Sequence, residues 1–192
     1  MKNILVVLGH PRNASFCGAL ADAYVQAARA AGAEVRVLKL ADLRFDPVLH
    51  DGYAQIQPLE PDLVSAQSDI TWAQHLVFVY PNWWGTLPSI LKGFFDRTLL
   101  PGYAFQYGKD SPLWEKLLKG RSARVLVTMD SPSWYYRFIV GAPGDKQIRN
   151  SVLEFCGVKP VRIRHFGPIR TATDTQRARW LDDAKSLAAQ DV

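Results

Sequence analysis

The 192-residue chain has few cysteines, no long apolar run and neither of the common phosphate-loop motifs, and each absence removes a class of protein. Cys17 and Cys156 lie far apart and outside any CxxC pair, which favours a reduced, cytoplasmic protein over a disulfide framework. No stretch approaches the roughly 18 apolar residues of a membrane-spanning helix, so we expect a soluble protein with no integral membrane segment. GxGxxG and GxxxxGK[ST] are both missing, which excludes the dinucleotide fingerprint and the P-loop.

The net charge of +5 comes from 23 basic and 18 acidic residues. Much of the excess falls late in the chain, at Lys159, Arg162, Arg164, Arg170, Arg177 and Arg179. A solvated basic surface explains this excess simply, and a site that attracts phosphorylated or acidic ligands is the sharper interpretation. We expect no nucleic-acid partner, because the sequence has no dense basic run and no nucleic-acid motif.

Apolar periodicity predicts alternating strands and helices. Strands are predicted at 4–8, 34–38, 76–80, 123–129 and 160–166, and helices at 16–31, 62–73, 87–98, 146–155 and 173–190. Such alternation is typical of right-handed βαβ units in an α/β fold. We therefore predict one domain over residues 1–192, a flavodoxin-like three-layer sandwich around a five-stranded parallel sheet of order 2-1-3-4-5.

Three predicted connections are long for a compact domain, which marks them as functional or interface segments. They cover residues 41–60, 99–120 (with room for a short helix at 112–118) and 130–144.

The loop after the first strand carries polar side chains at the start of a helix. His10, Arg12, Asn13 and Ser15 can donate hydrogen bonds there, and the free N–H groups of a helix start favour a phosphate. Ser15 is equally explained as a helix cap and His10 as a satisfied loop histidine. Cys17 could have a lowered pKa at a helix start, although a small buried helix residue is the simpler interpretation.

Two adjacent tryptophans follow the third strand. Trp83 and Trp84 stand between Pro81 and Gly85, where the chain turns at the carboxyl end of a parallel strand. Flat side chains beside exposed backbone N–H and C=O groups suit a planar ligand such as an isoalloxazine ring. A role in the core or in a dimer interface stays open for these tryptophans.

The loop after the fourth strand combines a carboxylate with aromatic residues. Thr128 and Asp130 lie at the strand end, and Trp134, Tyr135 and Tyr136 follow. A carboxylate here could mark a hydrolase or a metal site. No second acidic residue or histidine stands nearby at a ligand spacing, so we expect no metal.

The segments SFCGAL, YPNWWGTLPSILKGFFDRTLLPGYAF and the aromatic loop after strand 4 resemble the flavodoxin-like NAD(P)H:quinone oxidoreductases of the DT-diaphorase type and their bacterial relatives. The resemblance covers most of residues 3–168. It implies a homodimer with the flavin at the subunit boundary. His10, Ser15, Phe16 and Cys17 would hold the flavin phosphate and ribityl chain, and Pro81, Asn82, Trp83, Trp84 and Gly85 would lie along the isoalloxazine. Phe105 and Tyr107 would reach over the nicotinamide and quinone site of the partner subunit.

Two positions depart from the family pattern. Cys17 stands where family members often have Asn, and Thr128-Met129-Asp130 replaces a Thr-Gly-Gly sequence, which alters the approach to one flavin edge. We keep Thr128 and Asp130 as flavin contacts.

The resemblance implies a flavin-dependent NAD(P)H oxidoreductase. Hydride would pass from NADH or NADPH to the flavin, FMN with FAD as the alternative, and then to a quinone-like small-molecule acceptor in the same slot. Tyr107, Tyr135 or Tyr136 could donate a hydrogen bond to the reduced acceptor. One alternative is a flavin-binding regulatory subunit that docks on a membrane transporter, for which residues 41–60 could serve as the docking segment. Another is a one-electron carrier, which the basic charge disfavours.

Overall fold

The apolar runs of the sequence form a central parallel sheet. The computed structural model describes residues 1–108 and 113–192. Its strands are β1 (Asn3–Leu8), β2 (Glu34–Lys39), β3 (His75–Pro81), β4 (Phe105–Tyr107), β5 (Trp114–Lys116), β6 (Ser122–Thr128) and β7 (Val161–Phe166). Five of them pair in the order β2-β1-β3-β6-β7, all parallel, and β4 pairs antiparallel with β5 in a separate small sheet.

The helices connect the strands and cover both faces of the sheet. They are α1 (Phe16–Ala30), α2 (Pro61–Trp72), α3 (Ser89–Thr98), α4 (Ser133–Phe138), α5 (Pro143–Lys146), α6 (Glu154–Cys156) and α7 (Asp174–Asp191). A 3₁₀ turn covers Leu40–Asp42, and a π-helical stretch at Gln147–Leu153 joins α5 to α6. We call the continuous helical stretch 143–156 the late helix. In the described part of the chain, no helix has the length and apolar character to cross a membrane.

The core has two halves, one on each face of the sheet. Successive residues of β1 alternate between them, with Leu5 and Val7 in one half and Ile4, Val6 and Leu8 in the other. The first half is covered by α2, α3 and the late helix, and the second by α1 and α7. The three layers that the sequence predicts are therefore confirmed.

The five parallel strands are confirmed, whereas the stated order 2-1-3-4-5 needs a correction. Two short strands, β4 and β5, come between the third and fourth sheet strands along the chain, inside the segment that was predicted as a loop. The last two strands of the parallel sheet are therefore numbered β6 and β7. Three-residue strands show no readable periodicity, which is why the sequence hides them. The short helix suggested at 112–118 lies partly outside the described residues, and Trp114–Lys116 is strand, not helix. The loop 130–144 likewise contains α4.

The long segment 43–60 is fastened to α3 by a buried arginine. Arg97 is fully buried, and its guanidinium donates to the carbonyl oxygens of Asp46 and Pro58 and to the carboxylate of Glu60, 2.9 Å away. A planar fork with several donors suits this task, because backbone carbonyls and a carboxylate converge on one point. The segment is thereby part of the fold.

Candidate functional site

Three loops meet where β1, β3 and β6 end. The Gly9 N–H donates to the Val79 carbonyl over 2.8 Å, and the Asn82 N–H donates to the Thr128 carbonyl over 2.7 Å. The Cys17 Sγ lies 3.1 Å from the Thr128 Oγ1, which joins the start of α1 to the end of β6. The carboxyl ends of parallel strands on either side of a topological switch form the usual ligand crevice of such sheets.

The first loop presents hydrogen-bond donors at the start of α1. The Ser15 Oγ accepts from the Gly18 N–H over 3.1 Å, so its predicted capping role is confirmed. The N–H groups of Phe16 and Cys17 lie in the first turn, where a helix supplies no acceptor, and they remain available to an anion. An open depression of about 540 Å³ lies against this turn.

His10 faces the same crevice as a neutral ring. Its Nδ1 accepts the Arg12 N–H over 2.9 Å, and its ring lies edge-on to Trp83 with the centroids 5.6 Å apart. Burial lowers the pKa of His10. With Nδ1 acting as an acceptor, the ring proton sits on Nε2, which makes that nitrogen a donor.

The tryptophans form a tight turn that holds its shape through the backbone. Trp83 and Thr86 exchange N–H···O bonds of 3.1 and 3.0 Å, while Trp84 and Gly85 have φ of 52° and 78°. Two positive φ values in a row are typical of the mirror-image two-residue hairpin turn, where glycine costs least. Trp84 is fully exposed and Trp83 is partly exposed, so the core alternative for these residues is wrong.

Tyr136 locks this turn in place. Its hydroxyl donates to the Gly85 carbonyl over 3.1 Å and accepts the Gly144 N–H over 3.0 Å, and Gly144 also donates directly to Gly85. A Cβ on Gly144 would stand 2.8 Å from that hydroxyl, so the close approach requires glycine. Tyr136 is 2% exposed with its hydroxyl already used. Its predicted role as a proton donor is corrected to that of a positioning residue.

A small cavity of about 170 Å³ lies between the ends of β3 and β6, against Pro81, Trp83, Thr128 and Asp130. Asn82 also lines it, and within the described residues the buried Asn82 Oδ1 has no hydrogen-bond partner. A buried amide oxygen without a donor is costly, so a ligand that supplies one would be stabilised here.

Of the residues that depart from the family pattern, Met129 and Asp130 line the small cavity, and Cys17 lies at the start of α1. Met129 is buried in the core, where its side chain joins the half covered by the late helix. Asp130 lies at the surface, and its Oδ1 accepts the Arg170 N–H over 2.9 Å. Burial raises the pKa of Cys17 to about 11, so the alternative of a reactive, low-pKa cysteine is wrong.

Phe105 and Tyr107 lie away from these three loops. They line a separate cavity of about 440 Å³ between α3 and the late helix, where Phe105 packs edge-on against Phe155 with centroids 5.0 Å apart. Phe105 is 7% exposed and Tyr107 is 59% exposed. Their predicted contact with a partner subunit's ligand therefore falls mainly on Tyr107, and it remains a prediction.

Sequence reasoning missed two supports of the crevice. Gly144 contacts the tryptophan turn from a helix start 59 residues further along the chain, and Ile169 lines the small cavity after β7. Neither position carries a side chain that signals chemistry. The faint signal for Gly144 is a Pro-Gly pair just before a helical pattern.

Comparison with known proteins agrees with this architecture. The profile of the flavodoxin-like fold family matches residues 2–188. An NAD(P)H oxidoreductase of Haemophilus influenzae is 29% identical over 98% of this chain and 93% of its own length. NAD(P)H dehydrogenase [quinone] 1 of Cavia porcellus is 27% identical over 82% of this chain, which spans 65% of that enzyme. A crystal structure of a Streptococcus mutans protein superposes with a TM-score of 0.81 at 28% identity, covering 99% of this chain and all of that one. The chain therefore belongs to the flavodoxin-like fold family, with relatives named as an NAD(P)H oxidoreductase and an NAD(P)H dehydrogenase [quinone].

Proposed function

We propose that the protein is a flavin-dependent NAD(P)H oxidoreductase that reduces quinone-like aromatic acceptors by two electrons. The observation that carries this proposal is the meeting of an exposed tryptophan turn with a helix N-terminus at the carboxyl ends of β1, β3 and β6. The tryptophan turn offers flat apolar faces, and the start of α1 offers hydrogen-bond donors for an anion. A phosphorylated planar cofactor needs both within one molecule's length.

The residues fit a flavin in a specific respect. Asn82 lines the cavity beside the tryptophan turn and has a buried Oδ1 without a described partner, and the pyrimidine edge of an isoalloxazine carries an N–H of the kind that such an oxygen accepts. Pro81, Trp83, Trp84 and Gly85 would hold the ring, with Thr128 and Asp130 along its edge. His10, Ser15, Phe16 and Cys17 would hold the phosphate and ribityl chain, Cys17 through its backbone N–H because its thiol is bonded to Thr128.

FMN suits the site better than FAD. A phosphate monoester carries close to two negative charges near neutral pH, and the first turn of α1 concentrates donors on a single anion. When bound, a flavin would supply the two-electron chemistry between NADH or NADPH and the acceptor. The protein stacks and orients both substrates, which use one slot in turn, so we expect ping-pong kinetics.

The acceptor needs a proton source, and two exposed tyrosines remain for it. Tyr135 lies on α4, next to Tyr136 in the chain, with its ring edge-on to Trp134 at 5.9 Å. Tyr107 lies on another face of the chain, so it could act only across a subunit boundary. We therefore include a homodimer in the proposal, with Tyr107 and Phe105 of one protomer closing the site of the other. Light scattering coupled to size exclusion tests this directly, and a monomer that turns over quinone would remove Tyr107 from the site.

The regulatory-subunit alternative relied on segment 41–60 as a docking element. That segment is instead fastened to its own domain through Arg97, so the enzyme is the better proposal. We also place it in the cytoplasm, where its two buried free thiols stay reduced.

The decisive experiment is the visible spectrum of the purified protein, followed by reconstitution with FMN and separately with FAD. We expect a yellow protein that binds FMN more tightly and oxidises NAD(P)H in the presence of a quinone. A colourless protein that binds neither flavin overturns the proposal. Flavin binding without NAD(P)H-dependent turnover would favour the regulatory subunit.

A further inference from the structure

A basic pocket of about 330 Å³ opens between the edge strand β7 and the start of the late helix. We call it the cation pocket and define it by Arg137, Lys146 and Arg149, together with Asp145 and His165. No carboxylate in the described part of the chain lies within 4.0 Å of the three cationic heads. The carboxylate that does line the pocket, Asp145, is engaged by the Nε2 of His165 at 3.0 Å.

The three cationic side chains of this pocket favour the binding of an anion. Three cations around one concavity repel each other, and a dianion placed between them would relieve that repulsion. Two of the three are guanidinium groups, whose planar donor pairs match the oxygens of a phosphate. The space is larger than a phosphate alone requires, so the attached sugar would fit with it.

The cation pocket adjoins the tryptophan turn. Gly144, which donates to the Gly85 carbonyl, directly precedes Asp145 in the pocket wall. The rings of Tyr136 and His165 meet edge-on with centroids 5.6 Å apart, so one aromatic wall separates the turn from the pocket. A long ligand with an aromatic end at the turn could place an anionic group in the pocket.

We propose that the cation pocket binds the 2′-phosphate of NADPH and makes this protein prefer NADPH to NADH. The inference rests on the proposed NAD(P)H-dependent function. The late arginines are weaker candidates, because Arg164 pairs with Asp183 at 2.7 Å and the Arg177 guanidinium donates to the Ile169 carbonyl. The 2′-phosphate is the sole chemical difference between the two dinucleotides, so a site that reads it determines the preference.

Calorimetric binding of two adenosine phosphates to the full-length protein tests the pocket without any turnover. Adenosine 2′,5′-bisphosphate carries the extra phosphate, and adenosine 5′-monophosphate lacks it. We expect the first to bind at least about tenfold more tightly, and Arg149→Gln to remove most of that difference, as loss of a charge-assisted hydrogen bond does. Lys146→Gln provides a second variant at the same pocket. Arg179→Gln, an exposed cation on α7, is the matched control and should leave the difference unchanged.

Steady-state kinetics supply the second readout. Arg149→Gln should raise the KM for NADPH about tenfold while the KM for NADH changes less than twofold. Equal affinities of the wild type for the two adenosine phosphates would overturn the inference, as would equal KM changes for both dinucleotides. A KM change confined to a sulfonated quinone would also overturn it, because the anion would then belong to the acceptor. Failure of the calorimetric test in a protein that still reduces quinones leaves the proposed function intact.

Discussion

Polar groups are arranged differently at the two ends of the strands in the parallel sheet. We call the side where the strands begin the amino edge and the side where they end the carboxyl edge. At the amino-terminal edge, the buried Asp191 accepts hydrogen bonds from both Arg124 and Tyr24, with Oδ1 2.7 Å from the Arg124 Nη2 and Oδ2 2.9 Å from the Tyr24 hydroxyl. His75 hydrogen-bonds Ser122 at 2.7 Å and lies 3.4 Å from the same carboxylate. At the carboxyl edge, Asn82 has a buried oxygen without a described partner and Trp84 stands fully exposed.

This difference indicates that the amino edge contributes to stability and the carboxyl edge to ligand binding. Buried charges persist only when they are paired, so the paired charges of Asp191 and Arg124 at the amino edge fix α7 to the sheet. Open polar atoms and exposed rings contribute little to folding, and they remain free for a ligand. Substitutions at the amino edge should therefore alter the free energy of unfolding, and substitutions at the carboxyl edge should alter binding.

The largest expected effect is at the amino edge. Asp191→Asn removes the carboxylate from the buried Arg124 and should lower the free energy of unfolding by about 3–5 kcal/mol in urea titration. Asp183→Asn, which removes an exposed partner of Arg164, is the control and should cost under about 1 kcal/mol. Comparable losses of stability in the two variants would show that the buried pairing of Asp191 with Arg124 is no more stabilising than an exposed ion pair.

The same carboxylate predicts acid sensitivity. Burial opposes ionisation of Asp191, but hydrogen bonds and charges from His75 and Arg124 outweigh it and hold its pKa well below its ordinary value of 3.8. A depressed carboxyl pKa adds stability above pH 3.8 that declines as the pH falls below it. Urea midpoints of the wild type should fall below pH 4 more steeply than those of Asp191→Asn.

The next effect tests the support of the tryptophan turn. Tyr136→Phe removes the hydroxyl that bridges Gly85 and Gly144 and should cost about 1–2 kcal/mol of stability. FMN should also bind more weakly, because the turn loses one of its two ties to the late helix. Tyr135→Phe is the matched control, since Tyr135 is exposed and its hydroxyl has no hydrogen bond to the described residues. A loss of quinone turnover in Tyr135→Phe at unchanged stability would identify Tyr135 as the proton donor.

A smaller effect, on binding alone, is expected at Trp84. Trp84→Ala should leave the free energy of unfolding within about 0.5 kcal/mol, because the ring is fully exposed. Loss of an aromatic face should raise the FMN dissociation constant about 2- to 10-fold in fluorescence titration. Tyr53→Ala, another exposed aromatic, should leave FMN affinity unchanged. A destabilised Trp84→Ala with normal FMN binding would reverse the assignment of this edge.

The last expected effect concerns the reactivity of the thiols and neither ligand binding nor a substitution. Burial raises the pKa of both Cys17 and Cys156 to about 11, so at pH 8 the native protein should react with iodoacetamide about 100-fold more slowly than the unfolded chain. Mass spectrometry of timed samples measures this ratio. A raised thiol pKa favours folding below pH 9 and loses that contribution as the pH rises toward 11, so alkaline stability should decline in that interval. Rapid alkylation of Cys17 at pH 8 would show that the joint between α1 and β6 opens readily.

Local chemistry explains what could be predicted at the site. The apolar run of β3 and the Pro81-to-Gly85 turn predicted where the tryptophans lie, and Ser15 predicted the start of α1. Tyr136 was misassigned because a tyrosine hydroxyl has the same sequence signature whether it faces a substrate or a buried backbone carbonyl. Only the packing of the late helix against the turn distinguishes the two.

The sequence by itself determined the five strands of the parallel sheet, the long helices between them, the crevice loops and the family, since each depends on neighbours within a few residues. Tertiary structure alone decided which polar groups became partners. It paired Asp191 with Arg124 across 67 residues and Arg97 with Glu60 across 37, and it brought Arg137, Lys146 and Arg149 to one pocket whose described carboxylate, Asp145, is engaged by His165. The physical reason is that ion pairing depends on distances of a few ångströms in space, which spacing along the chain does not encode.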